Sequence, residues 1–125
     1  PESKHALDLD GLRKNEITFW SAWLDSSLVG CAAVKELSKT QVELKSIRVS
    51  ASKRGKGIAE KILKHIISIC EFRGYTTISL ETGSMQHFIP ARKLYAKHGF
   101  ITCEPFSDYK EDPNSVFMSL NLSKD

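Results

Sequence analysis

The sequence lacks any apolar run near the roughly eighteen residues that a membrane-crossing helix requires, and it shows no secretory leader pattern. No membrane partner is therefore expected. Cysteine is scarce: Cys31, Cys70 and Cys103 are the three in the chain, and their spacing matches no metal site. An odd number cannot all pair within one chain, so free, buried thiols in a reduced cytoplasmic protein are expected. The four histidines, His5, His65, His87 and His98, show no ligand spacing either, and no metal is expected. Charge of one sign is also lacking. The formal net charge is +3, and the basic residues are scattered except between Lys53 and Lys56. That argues against a nucleic-acid partner, which calls for a basic stripe or face. There is no repeat and no low-complexity segment.

What the chain does have is apolar content, 41% of 125 residues, enough for a hydrophobic core without disulfide or metal staples. One domain over residues 1–125 is expected. Its most informative stretch runs from Val42 to Gly74 and reads as strand (VELKSIRV, Val42 to Val49), basic glycine turn (SASKRGKG, Ser50 to Gly57) and helix (Ile58 to Arg73). In the helix, Ile58, Ala59, Ile62, Leu63, Ile66, Ile67 and Cys70 recur at three-and-four spacing. Glu60, Lys61, Lys64, His65 and Glu71 take the other face, so His65 is read as a surface residue. Gly74 follows as the cap. In the strand, Leu44 and Ile47 are three apart whereas Ile47 and Val49 are two apart. The apolar phase thus slips by one residue near Lys45 and Ser46, which signals a bulge.

Lys53, Arg54 and Lys56 surround Gly55 and Gly57 immediately before the helix. The first turn of a helix leaves unpaired N–H groups and a partial positive charge, and glycine lets an anion approach the backbone closely. The turn is a candidate phosphate seat, although a solvated basic turn capping an amphipathic helix would read the same way. A Walker A loop is excluded because Ile58, not lysine, follows Gly57, and the dinucleotide fingerprint would need a third glycine at Glu60. The segment Arg54-Gly55-Lys56-Gly57-Ile58-Ala59 instead resembles the R/Q-x-x-G-x-G/A motif of the GNAT family of N-acetyltransferases. A second segment, Ala91 to Phe100 (ARKLYAKHGF), resembles the A-x-x-LYxKxGF signature of the same family. The segments HALDLDGL, LETGS and YKEDPNSVFM are similar to a bacterial branch of it.

The resemblance covers nearly the whole chain from the second strand onward. It implies an α+β fold, in which a central, mostly antiparallel, twisted sheet carries one parallel, splayed strand pair and is flanked by helices. Family members normally begin with a strand and one or two helices, so an N-terminally truncated domain lacking that strand and helix is expected. Acetyl-coenzyme A is implied as co-substrate, its pyrophosphate on Arg54, Gly55, Lys56, Gly57, Ile58 and Ala59. The bulged strand at Ile47, Arg48 and Val49 would bond the pantetheine arm. Phe88 departs from the family pattern, standing where an asparagine often bonds the coenzyme, so that contact is not carried over.

The remaining elements follow local signals. Ile17 to Leu24 and Leu28 to Leu37 are rich in strand formers and are separated by Asp25-Ser26-Ser27, short enough for a hairpin. With Val42 to Val49 they make a three-strand antiparallel meander. Ser3 to Lys14 is either the end of a helix or an ordered loop, with Leu7, Leu9 and Leu12 as its apolar contacts. Tyr75 to Thr82 is a strand that returns parallel through a right-handed crossover. Pro90 opens a second helix, ARKLYAKH, which ends at Gly99. Phe100 to Phe106 and Ser115 to Leu122 are strands around the polar connection DYKEDPN.

Moving an acetyl group from a thioester to an amine needs a neutral amine, a polarised carbonyl and a protonated leaving thiolate. A lysine-like amine has a pKa of about 10.4 and must lose a proton first, directly or through water. Glu43 on the bulged strand is the first candidate base and Glu81 the second, although strand carboxylates are more often solvated or salt-bridged. A backbone N–H between Ile47 and Val49 would polarise the carbonyl. Tyr95 matches the family tyrosine that protonates the departing sulfur; otherwise it is a core aromatic. His5 and His87 are left open as neighbours of the acceptor, since nothing in the sequence decides it. The expected activity is transfer from acetyl-coenzyme A to an amine of a small molecule or exposed peptide, by direct attack in a ternary complex, with a homodimer compatible with the resemblance. The alternative is a non-catalytic acyl-coenzyme A sensor that binds a protein partner.

Overall fold

The computed structural model describes residues 7–122. Four strands come first, β1 (Asp8–Lys14), β2 (Ile17–Leu24), β3 (Ser27–Glu36) and β4 (Gln41–Val49), paired as an antiparallel meander. Asp25 and Ser26 both have positive φ, 50° and 70°, as a two-residue hairpin requires for its twist to match the strands it joins. β4 passes through a 3₁₀ turn at Ala51–Lys53 and the glycines into α1 (Ile58–Phe72). This helix crosses back to β5 (Thr77–Gly83), parallel to β4. A second 3₁₀ turn (Gln86–Phe88) opens α2 (Ile89–Lys97), and β6 (Ile101–Thr102) and β7 (Ser115–Asn121) complete the sheet in the order β1-β2-β3-β4-β5-β7-β6. The fold is α+β, mostly antiparallel with one parallel pair, as expected.

The apolar stripe of α1 is what holds it. Ile62, Leu63, Ile66 and Cys70 are fully buried, and each large side chain so buried contributes about 1.5–3 kcal/mol. Past Arg73 the N–H of Tyr75 bonds the carbonyl of Cys70 and the N–H of Gly74 bonds that of Glu71, a Schellman closure. Val34, Leu44, Leu80 and Met118 share the helix-covered face through their register, while Glu43, Ser79, Glu81 and Phe117 share the other. His65 is half-buried rather than on the surface, because its ring meets the edge of buried Trp20 at 6.0 Å.

The bulge lies where the apolar phase slips. Ala33 pairs with Ser46 and Val34 with Leu44, leaving Lys45 as the extra residue. A bulge bends and twists its strand, and the β4–β5 pairing accordingly ends at Leu44 and Leu80. Beyond that point the two strands diverge.

Two further expectations are corrected. Residues 8–14 form β1, neither helix nor loop, because Leu9 packs inward opposite Ala22 and Leu12 pairs with Phe19 across the hairpin; residues 3–6 lie outside the described residues. The strand expected over Phe100 to Phe106 is only Ile101–Thr102. Cys103 still donates to the Phe117 carbonyl, but Pro105 has no N–H to continue the ladder. The chain peels away and lays Phe106 and Tyr109 on Phe117, with ring centroids 5.9 and 5.7 Å from it. This strap, residues 103–114, covers part of the face that the helices leave open.

Candidate functional site

Where β4 and β5 part, they open a cleft of about 940 Å³, within the range of cofactor and substrate pockets. Ile47, Arg48 and Val49 line one wall and Glu81 to Gly83 the other. Arg54 and Ala59 close the end at the glycine turn, and Pro90, Ala91, Leu94 and Tyr95 of α2 form the floor. A strand directs its backbone groups alternately to its two neighbours. Past Leu44, those of β4 aimed toward β5 therefore meet no ladder partner and face the cleft.

Gly55 and Gly57 both have φ of 79°, a left-handed conformation that L side chains rarely adopt, and a Cβ at either would meet open space. The N–H groups of residues 55–60 have no acceptor among the described residues. Lys56 is exposed, and Ile58 is buried as the anchor that fixes the start of α1. Arg54 donates from Nε to the Val49 carbonyl at 3.3 Å, tying the turn to the end of β4. An anion seated here would meet several N–H donors, a helix terminus and cationic side chains together.

The two candidate carboxylates flank the divergence point on the same sheet face, Glu43 just before Leu44 and Glu81 just after Leu80. Their settings differ. Glu81 is exposed, lines the cleft and accepts a hydrogen bond from the Ser115 hydroxyl. The Glu43 side chain is 6% exposed and lies under the strap. Its Oε2 accepts a hydrogen bond from the Tyr109 hydroxyl at 2.6 Å and meets Lys45 Nζ at 3.5 Å, while Lys45 also reaches the Tyr109 oxygen at 3.4 Å. Glu43 Oε1 has no partner among the described residues, yet it is not sealed from solvent. The Glu43 bond, then burial, pushes the Tyr109 phenol pKa up, so Tyr109 is a donor.

Tyr95 is buried on α2 with its ring 5.6 Å from Phe100, lines the cleft, and its hydroxyl has no hydrogen-bond partner among the described residues. Burial raises its pKa, keeping the phenol protonated. Phe88 packs its ring so closely on Gly83 that a Cβ there would sit 2.2 Å from it. Arg92 fastens α2 by donating to the Gly83 carbonyl at 2.6 Å. His87 lines the cleft, and His5 lies outside the described residues.

The sequence thus brings Ile47, Arg48, Val49, Arg54, Ala59, Glu81 and Tyr95 to one cleft, and leaves Glu43 beside it under a residue that no sequence signal singles out. Tyr109 sits in a connection read as polar, and its reach to Glu43 is purely tertiary. Of the cysteines, Cys70 is buried, Cys31 is exposed and Cys103 half-buried, so burial holds for one. Cys31 belongs to the uncovered face of β3, whereas burial pushes the Cys70 thiol up to about 11. Among the described residues there is no cluster of three or more metal-ligating side chains, and no helix is long and apolar enough to cross a membrane.

Residues 1–100 match the Acetyltransferase (GNAT) family model. Over 122 residues the chain is 60% identical to the uncharacterized N-acetyltransferase YsnE of Bacillus subtilis, covering 98% of this chain and 81% of that one. It is 46% identical over 122 residues to the uncharacterized N-acetyltransferase YedL of Escherichia coli, covering 98% of this chain and 77% of that one. Among solved structures, a candidate acyl-CoA N-acyltransferase from Klebsiella pneumoniae superposes with a TM-score of 0.80 at 30% identity, covering 90% of this chain and 77% of that one. A GNAT acetyltransferase from Elizabethkingia anophelis with acetyl-CoA bound shares the fold, with a TM-score of 0.73 at 18% identity over 85% of this chain and 76% of that one. The chain belongs to the GNAT family of acetyltransferases.

Proposed function

We propose that the protein transfers the acetyl group of acetyl-coenzyme A to a primary amine by direct attack within a ternary complex. The observation that carries this reading is the convergence of two features on one cleft: a glycine turn with unsatisfied N–H groups and a strand edge stripped of its partner by a bulge. Residues 54–59 hold the pyrophosphate. Ile47 to Val49 bond the pantetheine arm as a β-strand would, and one of their N–H groups polarises the thioester carbonyl. Phe88 supplies an apolar wall instead of an amide.

The amine arrives charged and gives its proton to Glu43, through a water at the open Oε1, with Glu81 as the second carboxylate in reach of the cleft. The neutral amine then attacks the carbonyl, the C–S bond breaks, the thiolate takes the Tyr95 proton, and the surplus proton on the new amide nitrogen is passed back through solvent to the Tyr95 phenolate. The test is acetyl-coenzyme A consumption with glycinamide, spermidine and a peptide with a free N-terminus, in the wild type, Glu43→Gln and Glu81→Gln. Turnover with at least one amine, falling about a hundredfold or more in Glu43→Gln and less in Glu81→Gln, is expected. Coenzyme binding with no turnover on any amine would favour a sensor, and the reverse ranking would move the base to Glu81.

A further inference from the structure

Glu43 is the most enclosed carboxylate of the site, and its two oxygens are treated differently. Oε2 takes a phenol at 2.6 Å and an ammonium at 3.5 Å, while Oε1 has no partner among the described residues. Tyr109 comes from 66 residues along the chain, and its place is set by the ring cluster it forms with Phe106, at 5.1 Å, and Phe117, at 5.7 Å. Nothing in that cluster needs a hydroxyl: phenylalanine would pack as well. The hydroxyl donates instead to a buried carboxylate that would otherwise be free to rotate.

We propose that Tyr109 is a positioning residue for acetyl transfer. Its hydroxyl, with Lys45, holds Oε2 of Glu43 in place and leaves Oε1 as the oxygen that receives the proton of the amine. The inference rests on Glu43 as the base. Other titratable or charged groups facing Glu43 are Lys35 opposite it on β3, Lys45 on its own strand, and Glu81 on β5; Ser79 and Phe117 complete its surroundings without charge. Lys45 lines the cleft. The strap therefore reaches the reaction through one hydroxyl, and its aromatic rings serve to place that oxygen.

The test is acetyl transfer to glycinamide by wild type, Tyr109→Phe, Glu43→Gln, the double variant and Phe106→Leu. Tyr109→Phe should lower kcat by about tenfold, the size expected for one hydrogen bond to a charged group, while coenzyme affinity stays within about twofold. Because Tyr109 acts through Glu43, the double variant should be within about twofold of Glu43→Gln alone. Phe106→Leu, which loosens the same strap without touching the hydroxyl, should stay within about threefold of wild type. Wild-type kcat in Tyr109→Phe, or additive losses in the double variant, would overturn the inference and leave Glu43 as base intact. An equal loss in Phe106→Leu would also overturn it, making the strap's packing the cause. Full turnover in Glu43→Gln would defeat the base assignment itself, and the inference with it.

Discussion

Tyr95 combines two properties that a packing residue does not need: a hydroxyl without a partner among the described residues, and a place on the cleft wall. Its burial raises the phenol pKa, so the proton is present at neutral pH and available to a departing thiolate. A coenzyme thiol resembles a free cysteine, with a pKa of about 8.5, and is not a very poor leaving group, so acid assistance should be moderate. Tyr95→Phe should slow turnover by about a hundredfold or less, at the lower end of general acid effects, with coenzyme affinity unchanged because the ring is retained. A rate and pH profile equal to wild type would make Tyr95 a packing residue, and loss of binding together with rate would make the hydroxyl a ligand contact. Tyr95 was legible because it stands in the segment ARKLYAKHGF, which resembles the family signature. Tyr109 was not, because nothing local distinguishes a tyrosine in a polar loop from one that closes over a distant strand.

Among the elements, α1 was the most legible, since its three-and-four spacing is set by burial of one face, and Ile62, Leu63 and Ile66 are that face. The bulge was legible for a related reason: sheet side chains alternate strictly, so the spacing of Leu44, Ile47 and Val49 has to break at Lys45. β1 was not. Its two aspartates are poor strand formers, and it exists through pairing with β2. The two helices are also tied at their ends, where Glu60 Oε2 in the first turn of α1 meets Lys97 Nζ at 2.8 Å and His98 Nε2 at 2.7 Å. The Lys97 bond, then the His98 bond, lowers the Glu60 pKa to about 2. A carboxylate whose folded pKa is depressed stabilises the fold above its unfolded value and loses that contribution as pH falls through the folded one. Glu60→Gln should thus lower the urea midpoint modestly at pH 7. The gap to wild type should shrink between about pH 4.3 and 2 and narrow with added salt. A gap that widens on acidification would contradict the tie.

For the whole molecule, the β2-β3-β4 meander and the parallel pair followed from the sequence because one long helix between two strands permits few topologies, whereas the place of β7 between β5 and β6 did not. The strap did not, since Pro105 ends β6 early and the rest is decided by where Phe106 and Tyr109 find an apolar surface. The central claim is that the splayed strands and the glycine turn form one coenzyme site. Calorimetric titration with coenzyme A, of wild type and Gly57→Glu, tests it most directly. Glutamate at Gly57 places a negative charge, like that of the phosphates, over the turn at a cost of about 1–2 kcal/mol of left-handed strain, which a folded domain withstands. The wild type should bind one coenzyme A per chain, and Gly57→Glu should remain folded by circular dichroism and lose affinity by more than about tenfold, since one repelled anionic contact is enough for that. No binding by the wild type, or equal affinity in the folded variant, would contradict the account.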